Sequence, residues 1–576
     1  MITPMTKYSF VLLNGDKDLF LERLQELGVV DITRSSKPVD DRSRDLLAGV
    51  ESIREEINCI RKGSDAHLDE LQSRLAELRR AEADVRPWGE YDAEALAALN
   101  IPIRYYRCTE KKYDAEWQSQ WAIQEVTRDG GNVWFVLLGD SEGFPLKDIP
   151  APQHSLTKLN GQIADAEAAV SHYKEVLEGR KSELPDLQRQ LDSASANLSK
   201  YLADASGQSS AEDALVIFEG FAPTEKDAAL KAGLEELPVL YLDSPATADD
   251  NPPVKLRNNW FTKQFEVLTE MYGMPVYNEF DPTVFLSIFF LLFFAMCMGD
   301  AGYGLLLIAI GFALKGKEGG LAKLWSLIIT LGAGTVVVGL VMGGFFGIDL
   351  STKEWVPEGM RRLMITGDWT VGGSTYSKQM ILSLGIGILH ICLAMIVKAV
   401  WAVRNNGFKN SLGTLGWTLL IVGCVLAFSV GLLGIVSESA MKWLLIGIAG
   451  VSALGIFIFN KWGRNPLANI GSGLWDTYSM ASGLMGDVLS YLRLYALGMS
   501  GSMLGATFNQ IAGMVLGTDP TWQWLPFVLI VLFGHALNLA LSCLGAFVHP
   551  LRLNFVEFFK NSDYQGRGVS YNPLKK

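Results

Sequence analysis

The stretch WLPFVLIVLFGHALNLALSCLGAFVHPLRLNFVEFF, residues 524–559, decides the fold class of this chain. Most of it is one apolar run, and roughly 20 apolar residues are enough for a helix to cross the ~30 Å hydrocarbon layer of a bilayer. Similar runs recur from Pro282 onward, whereas residues 1–250 are dense in charged side chains and contain no long apolar run. We therefore predict a soluble first half and a membrane-spanning second half.

Eight segments of the second half qualify as membrane spans. They are residues 281–298, 301–314, 324–347, 380–403, 412–436, 441–459, 474–510 and 524–559. The second is short, and the last two are long enough to lie tilted in the bilayer. The predicted fold class is mostly α, with a C-terminal eight-helix transmembrane domain over residues 281–576, a linker over 251–280 and a cytoplasmic domain over 1–250.

The distribution of basic residues predicts the orientation of these spans, because Lys and Arg are enriched in cytoplasmic loops. They occur in alternate connections, at Lys315, Lys317, Lys323, Lys398, Arg404, Lys409, Lys461, Arg464, Lys560, Arg567, Lys575 and Lys576. Residues 348–378 mix both signs and are long enough to form a small folded cap. The N-terminal sequence lacks the basic leader and apolar core of a signal peptide. We expect a multi-pass protein of the inner (plasma) membrane, with both termini in the cytoplasm.

The cytoplasmic half contains two segments with a strand, helix, strand pattern. Residues 7–33 show it first, as KYSFVLLN, DKDLFLERLQELG and VVDIT, and residues 214–242 repeat it as LVIFEGFAP, TEKDAALKAGLEEL and PVLYL. Further strands are predicted between residues 101 and 140. These pieces predict small α/β lobes.

Two long helical stretches, at about residues 41–85 and 155–203, separate these pieces. Their apolar residues recur at alternating steps of three and four, as in a coiled coil, with a phase shift near Gly63 and a break at Arg180. Pro185 should kink the second stretch, because proline removes one backbone hydrogen bond. One chain supplies both stretches, so an antiparallel coiled-coil arm is the simplest arrangement. It could serve as a plain spacer or as a docking arm.

Composition excludes several other classes. The net charge of −12 is spread over both signs without a basic stripe, which argues against nucleic acid as a partner. The 6 cysteines show no metal-binding or redox spacing. No site for a metal or cofactor is therefore predicted.

Two arginines lie inside predicted spans, where a charged side chain costs about 2.5–3.5 kcal/mol on insertion scales. Arg493 lies deep in the seventh span, within DVLSYLRLYALGM, and Arg552 lies near the cytoplasmic end of the eighth. Arginine stays charged at physiological pH, so it can keep a nearby carboxylate ionised but cannot shuttle protons. The two residues therefore give this region a fixed positive charge.

Polar residues on the same two spans are candidates to line an ion path. On the eighth span His535, Asn538, Ser542, His549 and Arg552 form one helical stripe, which could line a water-filled half-channel or hydrogen-bond a neighbouring helix. The candidates are Asp476, Asp487 and Ser490 on the seventh span and His535, Asn538, Ser542, His549 and Glu557 on the eighth.

The runs SYLRLYALGMS (490–500) and HPLRLNFVEFF (549–559) resemble the last two helices of the a-type subunit, called subunit I in bacteria, of V-type and A-type rotary ATPases. The same family is resembled by residues 272–307, by GGFFG at 343–347 and by GILH at 387–390, which contains His390. The resemblance covers the whole membrane half, and the cytoplasmic half in layout only.

This resemblance implies a stationary, non-catalytic subunit that couples ion flow to rotation. Arg493 would face the carboxylate of each proteolipid c-ring subunit, Arg552 would support it, and two half-channels would carry ions to and from the ring. The lobes would bind peripheral stalk subunits of the E/G type. The same complex would contain central-stalk and catalytic A and B subunits. Gly501 and Ser542 depart from the eukaryotic pattern of a histidine and an acid, and the choice between proton and sodium stays open.

Three other readings are weaker. GFALKGKEGG at 311–320 is similar to a phosphate-binding loop, but Glu318 replaces the Ser or Thr that would bind magnesium, and the segment ends a membrane helix. A secondary transporter would need related halves, and no internal repeat is evident. A membrane-anchored scaffold would leave the buried arginines with a purely structural role.

Overall fold

The computed structural model describes residues 1–34, 40–90, 101–114, 116–139, 143–151, 155–210, 214–316, 324–371, 374–432, 436–459, 466–515 and 524–576. It is mostly helical, with several long apolar helices and a few small sheets. The chain folds as two compact units. Unit 1 comprises Met1–Val11, Val29–Asp31 and Glu219–Pro573, and unit 2 comprises Leu12–Gly28, Ile32–Phe218 and Leu574–Lys576.

The elements of the N-terminal half follow one another in this order: β1 (Met5–Leu13), α1 (Lys17–Leu27), β2 (Asp31–Ile32), α2 (Asp41–Lys62), α3 (Ala66–Val85), β3 (Ile103–Thr109), α4 (Trp117–Gln120), β4 (Ile123–Asp129), β5 (Asn132–Leu138), α5 (Leu156–Gly179), α6 (Leu184–Asp204), β6 (Gln208–Ser210), β7 (Leu215–Pro223), α7 (Asp227–Leu234) and β8 (Leu240–Pro245).

Both predicted strand, helix, strand segments are present, and their strands share one sheet. Its order is β2-β7-β1-β8, with β6 paired to β7. Strands β1 and β8 run antiparallel, with Thr6 opposite Pro245 and Val11 opposite Leu240. The strands of the two segments therefore interleave, which their separate sequence patterns did not indicate.

A second sheet has the antiparallel order β3-β5-β4. Its core contains Tyr106 stacked on Phe135, with Val133 and Leu137 also buried. The core residues of β5 alternate along the strand, at Val133, Phe135 and Leu137, although Trp134 between them is also buried. Asp140, the end of the predicted strand region, lies outside the described residues.

Each of the two long helical stretches consists of two helices. The second stretch runs back along the first, so that α5 packs against α3 and α6 packs against α2. Ile57 and Ile60 of α2 contact Leu187 of α6, and Leu68 of α3 contacts Val170 and Leu177 of α5. The predicted phase shift is a real break, because Gly63 ends α2 in the left-handed conformation, with φ of +64°. A 3-10 turn at Arg180–Glu183 precedes α6, and Pro185 lies in the first turn of α6, where proline is tolerated.

The C-terminal half continues with short helices, apolar helices and two small hairpins, in this order: α8 (Trp260–Lys263), α9 (Glu266–Tyr272), α10 (Thr283–Met298), α11 (Ala301–Leu314), α12 (Trp325–Met342), β9 (Gly344–Phe345), β10 (Ile348–Asp349), α13 (Glu358–Leu363), β11 (Asp368–Val371), β12 (Ser374–Ser377), α14 (Lys378–Asn406), α15 (Leu412–Leu432), α16 (Glu438–Ala453), α17 (Pro466–Ser490), α18 (Leu492–Val515), α19 (Trp524–Arg552) and α20 (Phe559–Ser562). A π-helical segment, Leu454–Ile458, extends α16, and another, Leu553–Phe558, joins α19 to α20.

Within the described ranges, five helical segments are long and apolar enough to cross a membrane, by length and composition. They are Trp325–Met342, Lys378–Asn406, Lys409–Gly431, Ser439–Ile458 and Trp524–Ser562, and the helices Thr283–Met298 and Ala301–Leu314 are shorter apolar helices. The seventh predicted span is covered by α17 and α18, which meet at Tyr491. Lys317, Glu318, Lys323, Lys461 and Arg464, used above for orientation and for the rejected phosphate loop, lie outside the described residues.

The membrane helices of unit 1 pack around a core rich in phenylalanine, and glycines allow the closest approaches. A Cβ on Gly339 would overlap the backbone of Ala301, which explains the tight pairing of α12 with α11. Gly339 lies within α12, whereas Gly343 and Gly347 follow its end at Met342. Gly347 has φ of +71° and lies against the backbone of Gly505 in α18.

Candidate functional site

Arg493 lies in the first turn of α18, directly after the junction with α17. The Nη1 atom of its guanidinium is buried and has no hydrogen-bond partner in the part of the chain that the structure describes. A buried charge without a partner is costly, and native proteins normally pair it. The site therefore contains a cation whose counter-charge is not supplied by the described residues.

Arg552 ends α19 and is exposed, and the π-helical segment Leu553–Phe558 follows it. Arg493 and Arg552 both lie close enough to His549 for their charges to act on it. The two predicted arginines, on α18 and α19, thus both lie in the electrostatic neighbourhood of one histidine. The π-helical turn is a further sign of function, because such turns are frequent at functional sites.

Two acids form a buried group on one side of Arg493. Asp487 of α17 accepts hydrogen bonds from Lys560 Nζ, at 3.3 and 3.4 Å, and from Asn561 Nδ2, at 2.9 Å. Glu557 is 2% exposed, and its Oε2 has no partner among the described residues. The Ser490 hydroxyl lies beside the Glu557 carboxyl. Asp487 thus has a cationic partner, whereas Glu557 Oε2 has no hydrogen-bond partner in the described part of the chain.

The same side of Arg493 contains a cavity of about 350 Å³. Asp476, Asp487, Lys398, Lys560 and Asn561 contribute to its lining, and Asp476 is exposed. The structure therefore brings both predicted acids of the seventh span to one cavity. Two lysines that the sequence reasoning did not select lie there with them, so that the charges are balanced.

Three residues of the predicted polar stripe are joined in one chain of hydrogen bonds. Asn538 Nδ2 donates to the Tyr303 hydroxyl and to the Gly501 carbonyl, both at 2.8 Å. The Ser542 hydroxyl donates to Asn538 Oδ1 at 3.3 Å. The Tyr303 hydroxyl is also 2.7 Å from Nδ1 of His535.

The far end of this chain determines the tautomer of His535. Asn509 Nδ2 donates to the Phe346 carbonyl at 2.7 Å, so Asn509 Oδ1 is left as an acceptor for His535 Nε2 at 3.0 Å. In a neutral imidazole with its proton on Nε2, Nδ1 is an acceptor, and the hydroxyl of Tyr303 must donate to it. His535 and Asn538 thus hydrogen-bond α11 and α18, whereas the printed bond of Ser542 stays within α19.

A second cavity, of about 400 Å³, lies on the other side of Arg493 along α18. Tyr495, Met499 and Ser502 of α18 line it together with Gly344 and Gly347 of the hairpin that follows α12. Arg493 therefore lies between two cavities along the α17–α18 pair. The first is lined by charged side chains and the second mainly by glycine, hydroxyl and apolar groups.

Asp300 holds the hairpin that borders the second cavity. Its Oδ1 accepts from the backbone N–H groups of Gly302 at 2.8 Å, Tyr303 at 3.2 Å and Phe346 at 2.9 Å, and its Oδ2 accepts from Gly347 at 2.8 Å. It therefore caps α11 and anchors the turn at the same time.

Sequence reasoning missed Asp300, Tyr303 and Lys560. Asp300 and Tyr303 belong to the GDAGYG run, in which an acid before an apolar helix is a recognisable N-cap signal. Lys560 was used only as a loop charge, and no local pattern identifies Asp487 as its partner.

Residues 142–345 of the chain match the V-type ATPase 116kDa subunit family. The chain is 28% identical over 463 residues to A-type ATP synthase subunit I of Methanocaldococcus jannaschii, a match that covers 75% of this chain and 66% of that protein. It is 24% identical to V-type ATP synthase subunit I 1 of Treponema pallidum over 100% of both chains. It is 34% identical to A-type ATP synthase subunit I of Pyrococcus abyssi over 56% of this chain and 48% of that relative.

Proposed function

We propose that this chain is the stationary membrane subunit of a rotary ATPase, because residues 142–345 match the V-type ATPase 116kDa subunit family and its relatives include proteins named subunit I of V-type and A-type ATP synthases. In this role it does not hydrolyse ATP itself. It couples the passage of ions through the membrane to rotation of a proteolipid ring, and so to ATP hydrolysis or synthesis by the catalytic subunits of the complex.

The observation that carries this proposal is the buried Nη1 of Arg493, for which the described residues offer no hydrogen-bond partner. A guanidinium paired inside its own chain would be neutralised. One without such a partner is available to a carboxylate on another protein, and each ring carboxylate would pass it in turn. The fixed positive charge favours the ionised form of that carboxylate, so the carboxylate releases its ion as it arrives. Ions then cannot cross without rotation, because the arginine separates the points of arrival and departure.

The two cavities support the half-channels that such a mechanism needs. The first, with Asp476 and Asp487, would carry ions between the cytoplasm and the ring, with Ser490 and Glu557 at its inner end. The second, beside Ser502, would serve the opposite surface. The remaining lining candidates, His535, Asn538, Ser542 and His549, would border that second route. Arg552 would act beside Arg493 through their shared neighbour His549.

The remaining architecture is proposed to serve the same task. Eight spans would place both termini in the cytoplasm of a cell whose inner membrane holds the complex. Residues 1–250, with their lobes and an antiparallel coiled-coil arm, would bind peripheral stalks and keep this subunit from turning with the ring. Residues 251–280 would link them to the membrane domain.

The test uses the whole complex reconstituted in vesicles, with ATP-driven ion uptake as the readout. Arg493→Ala is expected to abolish uptake, while Arg493→Lys keeps the charge and should retain part of it. Arg404→Ala is the matched control, because it removes an exposed arginine near a helix end. The wild-type chain should also co-purify with the ring and the ATPase subunits. Normal uptake with Arg493→Ala would refute the proposal.

A further inference from the structure

The helix break immediately before Arg493 has an unusual backbone. The amide N–H of Tyr491 donates to the carbonyl of Val488 at 3.2 Å, and the N–H of Leu494 donates to the carbonyl of Tyr491 at 3.1 Å. Each bond spans three residues, whereas an α-helix spans four, so the backbone is tightened here. The direction in which α18 leaves this break sets the direction of Arg493, two residues further on.

Tyr491 is held in place by α14. Its side chain is fully buried, and its hydroxyl is 2.9 Å from Nδ1 of His390. One turn earlier, a Cβ on Gly387 would overlap the Tyr491 ring, so the ring lies directly on the α14 backbone. The ring of Phe293 packs edge-on against it at 5.8 Å. At the break, Tyr491 thus makes one hydrogen bond, to His390, and packs closely against Gly387 and Phe293.

His390 is itself fixed by aromatic rings. It stacks on Phe558 with centroids 4.6 Å apart and an interplanar angle of 10°, and Phe289 lies 4.1 Å away. Its Nε2 is buried and unpaired within the described ranges. The Tyr491 hydroxyl is thus the one hydrogen-bond partner that the described residues give this ring. Among the described residues, the role that these contacts leave for the His390 imidazole is to hold Tyr491 in place.

The junction before Arg493 has to be fixed in this way because the described residues supply no partner that would orient its Nη1. A salt bridge inside the chain would orient the guanidinium but would also neutralise it. A cation that must meet a series of moving carboxylates has to be oriented by its backbone. Tyr491, two residues before Arg493, attaches this part of the backbone to α14.

We propose that His390 is a positioning residue for ion translocation: through its hydrogen bond to Tyr491 it fixes the α17–α18 junction and so directs Arg493 toward the ring. This inference rests on the proposed function, in which Arg493 faces the ring carboxylate. It gives a role to the GILH motif, which the half-channels do not use.

The direct test measures the direction of position 493 without requiring ion transport. In complexes whose native cysteines are replaced by alanine, Arg493→Cys is combined with a cysteine at the carboxylate position of the ring, and the rate of disulfide formation is measured. Adding Tyr491→Phe should slow cross-linking about fivefold, because losing one hydrogen bond typically shifts the equilibrium between two orientations of the junction about fivefold. The matched control is Tyr564→Phe, which removes another mostly buried tyrosine hydroxyl, bonded to the Gly273 carbonyl at 2.8 Å.

The outcomes separate the two proposals. No cross-link in the parent complex would overturn the placement of Arg493 at the ring, and the inference with it. Equal rates in the parent, the Tyr491→Phe and the Tyr564→Phe complexes would overturn the inference alone. Slowing confined to Tyr491→Phe supports it.

A second measurement uses the number of ions pumped per ATP hydrolysed by complexes that retain all their subunits. His390→Leu should lower this ratio about fivefold, and His390→Gln, which can still hydrogen-bond, should restore much of it. A purely structural histidine would change the yield of assembled complex but not this ratio. An unchanged ratio in His390→Leu complexes would overturn the inference, even if the yield falls.

Discussion

Replacing Asp300 with alanine is expected to destabilise the membrane domain by about 2–4 kcal/mol. The side chain is 1% exposed and accepts four backbone hydrogen bonds. Alanine would remove both carboxylate oxygens and with them all four hydrogen bonds. The reason for a large effect is that this one carboxylate caps a helix and also closes the hairpin after another helix.

The magnitude follows from the two kinds of donor. Loss of an N-cap costs about 1–2 kcal/mol, and this applies to the Gly302 and Tyr303 N–H groups at the start of α11. The Phe346 and Gly347 N–H groups belong to partly buried residues, where water can replace some of the lost bonding. We assign about 0.5–1 kcal/mol to each of these, which gives the stated sum.

The assay is unfolding of the detergent-solubilised chain by titration with a denaturing detergent, followed by circular dichroism. Asp300→Asn keeps one acceptor oxygen and should cost less than Asp300→Ala. Asp349→Ala is the matched control, since that exposed turn carboxylate accepts, among the described residues, only from the N–H and hydroxyl of Ser351. We expect this control to cost under about 1 kcal/mol. Equal destabilisation by Asp300→Ala and Asp349→Ala would refute the reasoning.

Two further predictions concern a glycine and a pair of titratable groups. Gly347→Ala should reduce assembly with the ring, because Gly347 has φ of +71° and a Cβ there would overlap the Gly505 backbone. The control is Gly367→Ala, at φ of +84° with open space around it, which should cost only about 1 kcal/mol of strain. Equal yields of complex from the two variants would contradict this prediction. In the arm, the Tyr173 hydroxyl donates to Asp65 at 2.7 Å and lowers the pKa of that carboxyl. A lowered pKa stabilises the fold above the ordinary value of about 4, and this stability is lost as the pH falls through the folded-state pKa. Tyr173→Phe should therefore lower the heat-unfolding midpoint at pH 6 more than at pH 3, and equal shifts would count against it.

Much of the local structure could be predicted because its signals lie close together in the sequence. Gly63 ends a helix since glycine adopts the left-handed conformation easily. Pro185, which was expected to kink its stretch, lies instead in the first turn of α6, where its missing N–H is not needed. Apolar runs likewise predict helices without knowledge of their partners. Arg493 could be selected from the sequence, because an always-charged residue within an apolar run needs a reason.

The partners of these residues could not be predicted. His390 and Tyr491 are separated by 101 positions, and Tyr303 and His535 by 232. No periodicity connects residues so far apart. Their pairing depends on which helices lie side by side, and that choice is made by shape, at glycines and aromatic rings across the whole core.

The sequence by itself determined the class of this protein: a helical membrane domain with buried arginines, a charged half with two long helical stretches, and a family resemblance that the comparisons bear out. These features depend on composition and on spacing over at most a few turns. Only the tertiary structure decided that Asp487 has a lysine partner while Glu557 Oε2 has none in the described chain, and that cavities lie on both sides of Arg493. The physical reason is that charge pairing and cavities depend on distances between helices, which packing sets.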